Sequence, residues 1–131
     1  MIRPAAASDV LAIVDRIEDL RAAVGGPVPV DRAWTARTVA SLIESDDGLV
    51  LVSPGGFIAG ALVQTIINPA PLVQELGWFA SDGSGLRLLR RLEAWARERG
   101  ATLVQLSTGP AGPDLARLGY RRAEQAWVRG L

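Results

Sequence analysis

A strand that runs straight into a glycine turn and then into a long amphipathic helix constrains this chain more than any other stretch. From Glu75, Glu-Leu-Gly-Trp-Phe-Ala is followed by Ser-Asp-Gly-Ser-Gly and then by residues 86–100. Leu88, Leu89, Leu92, Trp95 and Ala96 fall at the spacing of one buried helical stripe, with Ser84 placed to cap the start and Gly100 to end it. Arg87, Arg90 and Arg91 crowd the first two turns, where the helix dipole already makes the field positive. That crowding is frustrated unless an anion joins it, and glycines ahead of an exposed helix N-terminus form a ready anion site. The same residues also suit a solvated arginine face behind an ordinary glycine turn. Two other glycine-loop chemistries fall away. A dinucleotide fingerprint needs a glycine where Leu88 stands, and a Walker loop needs a lysine, of which the chain has none.

Absences narrow the chemistry further. Without Cys, His or Lys the chain cannot build a thiol nucleophile, a Ser-His-Asp triad, the usual zinc site or a Schiff base. Carboxylates, hydroxyls, the single Tyr120 and backbone amides remain, so any catalysis works by positioning, and no metal is expected. A length of 131 residues with 49% hydrophobic content suits one domain, 1–131, with a real core. Formal charge is zero, so no global field draws the chain to nucleic acid or an anionic membrane. No run reaches the length of a membrane span and no signal pattern opens the chain, so a soluble cytoplasmic protein is expected.

Taken in order, Ile2 to Ala5 reads as a short strand, and Ser8 or Asp9 caps a helix with Val10, Ile13, Val14, Ile17, Leu20 and Ala23 on one face. Gly25 and Gly26 stop it. Asp31 caps a second helix carrying Trp34, Thr38, Ala40, Leu42 and Ile43. After Asp46-Asp47-Gly48 the period changes. Residues 49–52, 57–67 and 72–80 read as a three-strand antiparallel meander, the first pair joined by Ser53-Pro54-Gly55-Gly56. Past the long helix, 102–107 reads as a strand parallel to 72–80, 114–118 as a short helix and 119–128 as a closing strand or hairpin. The class is α/β, with a mixed sheet.

This order, strand, two helices, three-strand meander, helix, strand, short helix, strand, resembles the GNAT superfamily of CoA-dependent N-acyltransferases along the whole chain. Two stretches carry the resemblance: Glu75-Leu-Gly-Trp-Phe-Ala with Gly83-Ser-Gly85 and the helix that follows, and Leu115-Ala-Arg-Leu-Gly-Tyr120-Arg, similar to the family's closing Tyr-x-x-x-Gly-Phe. The family's loop, Q/R-x-x-G-x-G/A, holds the CoA pyrophosphate on its amides and the helix N-terminus. The resemblance therefore implies acetyl-CoA as cofactor, with binding positions at Trp78, Phe79, Gly83, Ser84, Gly85, Leu86, Arg87, Arg90 and Arg91. Ala80 stands where the family has Gln or Arg, and the link to the glycines is shorter. Asp82 either brings a negative charge to the pyrophosphate or complements the helix dipole.

The family's reaction is direct attack of an amine on the thioester, with a base for the amine proton, a fourth-strand amide that polarises the carbonyl and often a tyrosine that protonates the thiolate. The resemblance makes Glu75 the base, with a surface carboxylate as its plainer role. Leu115 stands at the tyrosine position, and Thr108 replaces the pantetheine-contacting asparagine or that contact is lost. Two functions follow: N-acetyl transfer from acetyl-CoA to a small-molecule or protein amine, or a GNAT-fold protein with a degenerate cofactor site. The second would serve as a binding or structural part, for example in a phage or prophage virion. Homo-oligomers or virion assembly are the expected associations. Strict alternation would put Glu75, Gly77 and Phe79 on one face of their strand and Leu76, Trp78 and Ala80 on the other.

Overall fold

The computed structural model describes residues 1–131. Its elements are β1 (Arg3–Pro4), α1 (Val10–Val24), α2 (Arg32–Glu44), β2 (Gly48–Ser53), β3 (Gly56–Val63), β4 (Leu72–Ala80), α3 (Gly85–Glu98) and β5 (Val104–Gln105). Single 3-10 turns occupy Ala7–Asp9 and Ala116–Leu118. The five strands form one sheet in sequence order, antiparallel from β1 to β4 and parallel between β4 and β5. The expected mixed α/β architecture is present.

Strands that are apolar on both faces need cover on both faces, and the helices supply it. Leu51, Ile58 and Val73 meet Leu88, Leu89, Leu92 and Ala96 of α3 on one side. Val50, Val52, Phe57 and Ala59 meet Ile13 of α1 and Val39 of α2 on the other. Leu88, Leu89 and Leu92 are completely buried, each worth about 1.5–3 kcal/mol of transfer free energy. Close approach of α3 depends on Gly60, where an added Cβ would lie 2.9 Å from Leu92 Cδ1. Gly25 ends α1 in the left-handed region (φ 65°). Gly100 ends α3 likewise (φ 72°), with Ala101 N donating to Ala96 O at 2.9 Å.

Several boundaries differ from expectation. Asp31 does cap α2, its Oδ1 accepting Trp34 N at 3.0 Å, but the buried residue of that helix is Val39, while Trp34 and Thr38 face solvent. Leu42 and Ile43 pack beside Val39 as expected, so only the first part of the stripe is displaced. β3 stops at Val63, leaving Ile66 and Ile67 exposed in a loop that Gln64 ties to Pro69 O. β5 is two residues long in place of 102–107, and no strand forms over 119–128, where Trp127 and Val128 are exposed. The physical cause begins at Ser107, whose amide donates to the Glu75 side chain at 3.2 Å instead of continuing a ladder with β4. Beyond it, Gly109, Pro110, Gly112 and Pro113 interrupt any strand.

Candidate functional site

The sheet changes phase at Glu75. Gly60 lies opposite Glu75 and Ala59 opposite Gly77, so Leu76 is an extra residue, a β-bulge in β4. Cross-strand partners share a face, and adjacent residues of β3 do not, so Glu75 and Gly77 face opposite ways. This corrects the strict alternation: Glu75 is out of phase with Phe79. Trp78 packs with the α3 layer and Phe79 with the α1 and α2 layer. Both rings thus belong to the core, which leaves their backbone rather than their side chains to meet a ligand.

Glu75 is half-buried, beyond the last β4–β5 pair, Gln74 with Gln105. Burial disfavours its charged form and pushes the carboxyl up to about 7, against the Ser107 amide, which favours the anion. A carboxyl with that affinity for protons is suited to accept and release one near neutral pH. Ser107 was not legible as a functional position, because it acts through its backbone.

Further along β4 the chain turns into α3. Ser84 stands at the N-cap but makes no capping bond; it is completely buried, and its hydroxyl contacts Asp82 Oδ1 at 2.5 Å and Ser53 Oγ at 2.7 Å. The expected side-chain cap is therefore absent, and the Ser84 hydroxyl is closed to a ligand. The Ser84 hydroxyl first, then Gly55 N donating to Oδ2 at 2.8 Å and Ser84 N donating to Oδ1 at 3.1 Å, hold the Asp82 carboxyl well below the usual range. Ser81 N and Oγ both donate to Gly55 O. The Asp82 carboxylate thus bridges the β2–β3 turn and the N-cap residue of α3. Ser53, Gly55 and Asp82 form a clasp that no local pattern announces.

With Ser84 engaged elsewhere, the amides of Gly85, Leu86 and Arg87 precede the first helical bond, Leu88 N to Ser84 O, and α3 begins without a side-chain cap. Gly83, in the left-handed region (φ 78°), allows the chain to enter the helix with open space where a Cβ would stand. Gly85 O accepts Trp78 Nε1 at 3.0 Å, pinning the first turn to β4. Leu86 is half-exposed. The three arginines are not equivalent. Arg90 pairs with Glu93 at 2.7 Å, while Arg87 and Arg91 make neither an ion pair nor a side-chain hydrogen bond. Glu93, almost buried, also accepts Tyr120 Oη at 2.7 Å. Burial and Glu93 together raise the Tyr120 phenol above its usual range, so it stays protonated and bound to α3.

No protein-family model matches the sequence, and neither does any curated protein. Solved structures do match. A predicted acetyltransferase from Clostridium acetobutylicum, solved with acetyl-CoA, superposes with a TM-score of 0.80 at 16% identity, covering 99% of this chain and 95% of that one. A GNAT family acetyltransferase from Staphylococcus aureus gives 0.67 at 18% identity, covering 100% and 98%. An aminoglycoside acetyltransferase from an uncultured soil metagenomic sample, in complex with sisomicin, gives 0.66 at 16%, covering 100% and 93%. At these identities the likeness is one of fold: the chain has the fold of the GNAT acetyltransferases.

Proposed function

We propose that the chain transfers an acyl group, acetyl in the first instance, from its CoA thioester to an amine. The observation that carries this is the placement of Glu75: a half-buried carboxyl raised to about 7, in the β4 bulge, on the strand that leads to an uncapped helix N-terminus. Five residues separate Glu75 from Ala80, roughly 15–17 Å of extended strand. That span matches an extended pantetheine arm, with a diphosphate at α3 and a thioester beside Glu75.

The residues present fit a diphosphate at the amides of Gly85, Leu86 and Arg87, with Arg87 and Arg91 as charged donors. Arg90 is held by Glu93 and contributes less. CoA would supply an activated acyl group and a thiolate leaving group. Glu75, ionised, takes the proton of the attacking amine as the C–N bond forms and the C–S bond breaks. The amide of Leu76, the extra residue of the bulge, is the proposed donor to the carbonyl oxygen. Tyr120 is bound to Glu93, and Leu115 stands at the family's tyrosine position, so the thiolate takes its proton from solvent.

A second function is favoured by Ala80 and by the inward-turned Ser84: a GNAT fold whose cofactor site has degenerated. Nothing in the comparisons supports a place in a phage virion. Calorimetric titration with acetyl-CoA, followed by thiol release in the presence of amines, separates the two. Binding, with release lowered about 100-fold in Glu75→Gln, supports acyl transfer. Absence of binding at millimolar acetyl-CoA overturns it.

A further inference from the structure

A cleft of about 360 Å³ opens between the first turns of α1 and the end of β2, at the small end of the size range of ligand sites. It lies away from the acyl-transfer site. Val52, in its wall, belongs to the sheet face covered by α1 and α2, whereas Glu75 pairs with Gly60, whose face meets Leu92 of α3. Val52 also pairs with Arg3 of β1, at the opposite edge of the sheet from β4 and β5.

Three charged side chains line the cleft, Arg3, Asp9 and Arg16, and they do not balance. Arg3 grips Asp9 with Nη1 on Oδ2 at 2.7 Å and Nη2 on Oδ1 at 2.8 Å, and Ala6 N donates to the same Oδ2 at 2.7 Å. Arg3 thereby neutralises Asp9. Arg16 is the remaining cation: it is half-buried, it has no ion pair, and its side chain makes a single hydrogen bond, from Nη2 to Pro54 O at 2.7 Å. That bond fixes the guanidinium in the cleft wall and leaves Nε and Nη1 without a partner in the protein. The rest of the lining is mostly apolar, with Ile13 and Val52 buried and Ala12 and Pro54 exposed at the rim. A half-buried guanidinium beside apolar walls has lost part of its water without gaining a counterion, which is costly.

We propose that this cleft binds a small monocarboxylate with an apolar body, the carboxylate on Arg16 and the body against Ile13, Val52 and Ala12. The N–H groups that Arg16 has left are donors of the kind that hold carboxylate oxygens through short, charge-assisted bonds. An alkyl group laid over the apolar wall gains by leaving water. A second anionic group would meet the Asp9 carboxylate, whose oxygens are already taken by Arg3 and Ala6 N, so dicarboxylates bind less well. No group in this site takes part in acyl transfer.

The test is an amide NMR titration of the protein at neutral pH with isovalerate, its uncharged amide isovaleramide, and succinate. Isovalerate should give saturable shifts at Ala12, Ile13 and Ser53 at millimolar concentration, with isovaleramide and succinate each binding at least about 5-fold more weakly. Arg16→Gln should weaken isovalerate binding about 10-fold or more. Ala12→Phe, which fills the cleft from an exposed helix position and leaves Arg16 in place, should do the same, and the dispersion of the same spectra shows whether each variant is folded. Absence of saturable shifts at these amides at millimolar isovalerate, equal or tighter binding of isovaleramide or succinate, or unchanged affinity in a folded variant overturns the inference.

Discussion

Asp82 Oδ2 accepts the Gly55 amide at 2.8 Å, which makes the turn between β2 and β3 and the turn ahead of α3 one hydrogen-bonded unit. Its other oxygen, Oδ1, accepts Ser84 N and contacts the Ser84 hydroxyl at the N-cap of α3, so both oxygens are already engaged within the protein. Asp82→Ala should therefore lower both thermal stability and acetyl-CoA affinity, because the turn loses its strut. If the carboxylate instead repelled the diphosphate, affinity would rise, and a titration of the variant gives the sign directly. The depressed folded pKa adds a pH signature: this stabilisation is present above the ordinary aspartate range and is lost as pH falls through the lower folded value.

Gly55 supplies the other half of the clasp. A Cβ there would come within 2.6 Å of Asp82 Cβ, closer than real contacts allow, so Gly55→Ala must displace the turn. A loss of about 1–3 kcal/mol in urea denaturation is expected. An unchanged midpoint would show that the two turns are not tightly coupled.

The arginines of α3 should divide by their partners. Replacing Arg87 and Arg91 together by Ala is expected to weaken acetyl-CoA binding by about 1–3 kcal/mol, with a reduced dependence on salt. Arg90→Ala should change it less, since that guanidinium is committed to Glu93. Equal losses from both variants would mean that the ion pair opens on binding.

Much of this organisation could be read before any coordinates. The change of hydrophobic period at Gly48 and again at Gly85 marks the meander and α3, because each buried stripe is a local pattern, and Asp31 announces its cap three residues ahead of Trp34 N. What escaped depends on partners far along the chain. The bulge at Leu76 exists only in register with β3, the direction of Asp82 is set by Gly55, 27 residues away, and Glu93 finds Tyr120 at the same separation. The closing segment reads as a strand by composition, yet it remains outside the sheet, attached through the Gln105–Glu124 and Glu93–Tyr120 contacts. Propensity without a paired edge does not make a strand.

Tyr120 should prove structural. Tyr120→Phe removes one donor from a nearly buried Glu93 carboxylate and is expected to cost about 1–3 kcal/mol of stability while leaving kcat for acetyl transfer unchanged. Loss of kcat at constant KM would instead make the phenol part of the reaction.

The last prediction concerns Glu75 and needs no cofactor. A glutamate that titrates near 4.5 when unfolded and near 7 when folded holds a proton in the native state across that interval, after the unfolded chain has released it. Stability is therefore greatest below about pH 4.5 as far as this group is concerned, falls as pH rises, and reaches its low level once pH passes 7. The penalty above neutrality is about 1–3 kcal/mol after allowance for the part of the side chain that water reaches. Glu75→Gln retains a carbonyl oxygen for the Ser107 amide but has no proton to lose, so its melting temperature should lack this decline and exceed that of the wild type at pH 8. The same group should govern kinetics: kcat/KM for acetyl transfer rises through pH 7 to a plateau as the base ionises, and the Gln variant falls about 100-fold or more. Parallel melting curves for the two proteins from pH 5 to pH 8 would show that Glu75 is not buried enough to be tuned, and with that its role as the proton acceptor would fall.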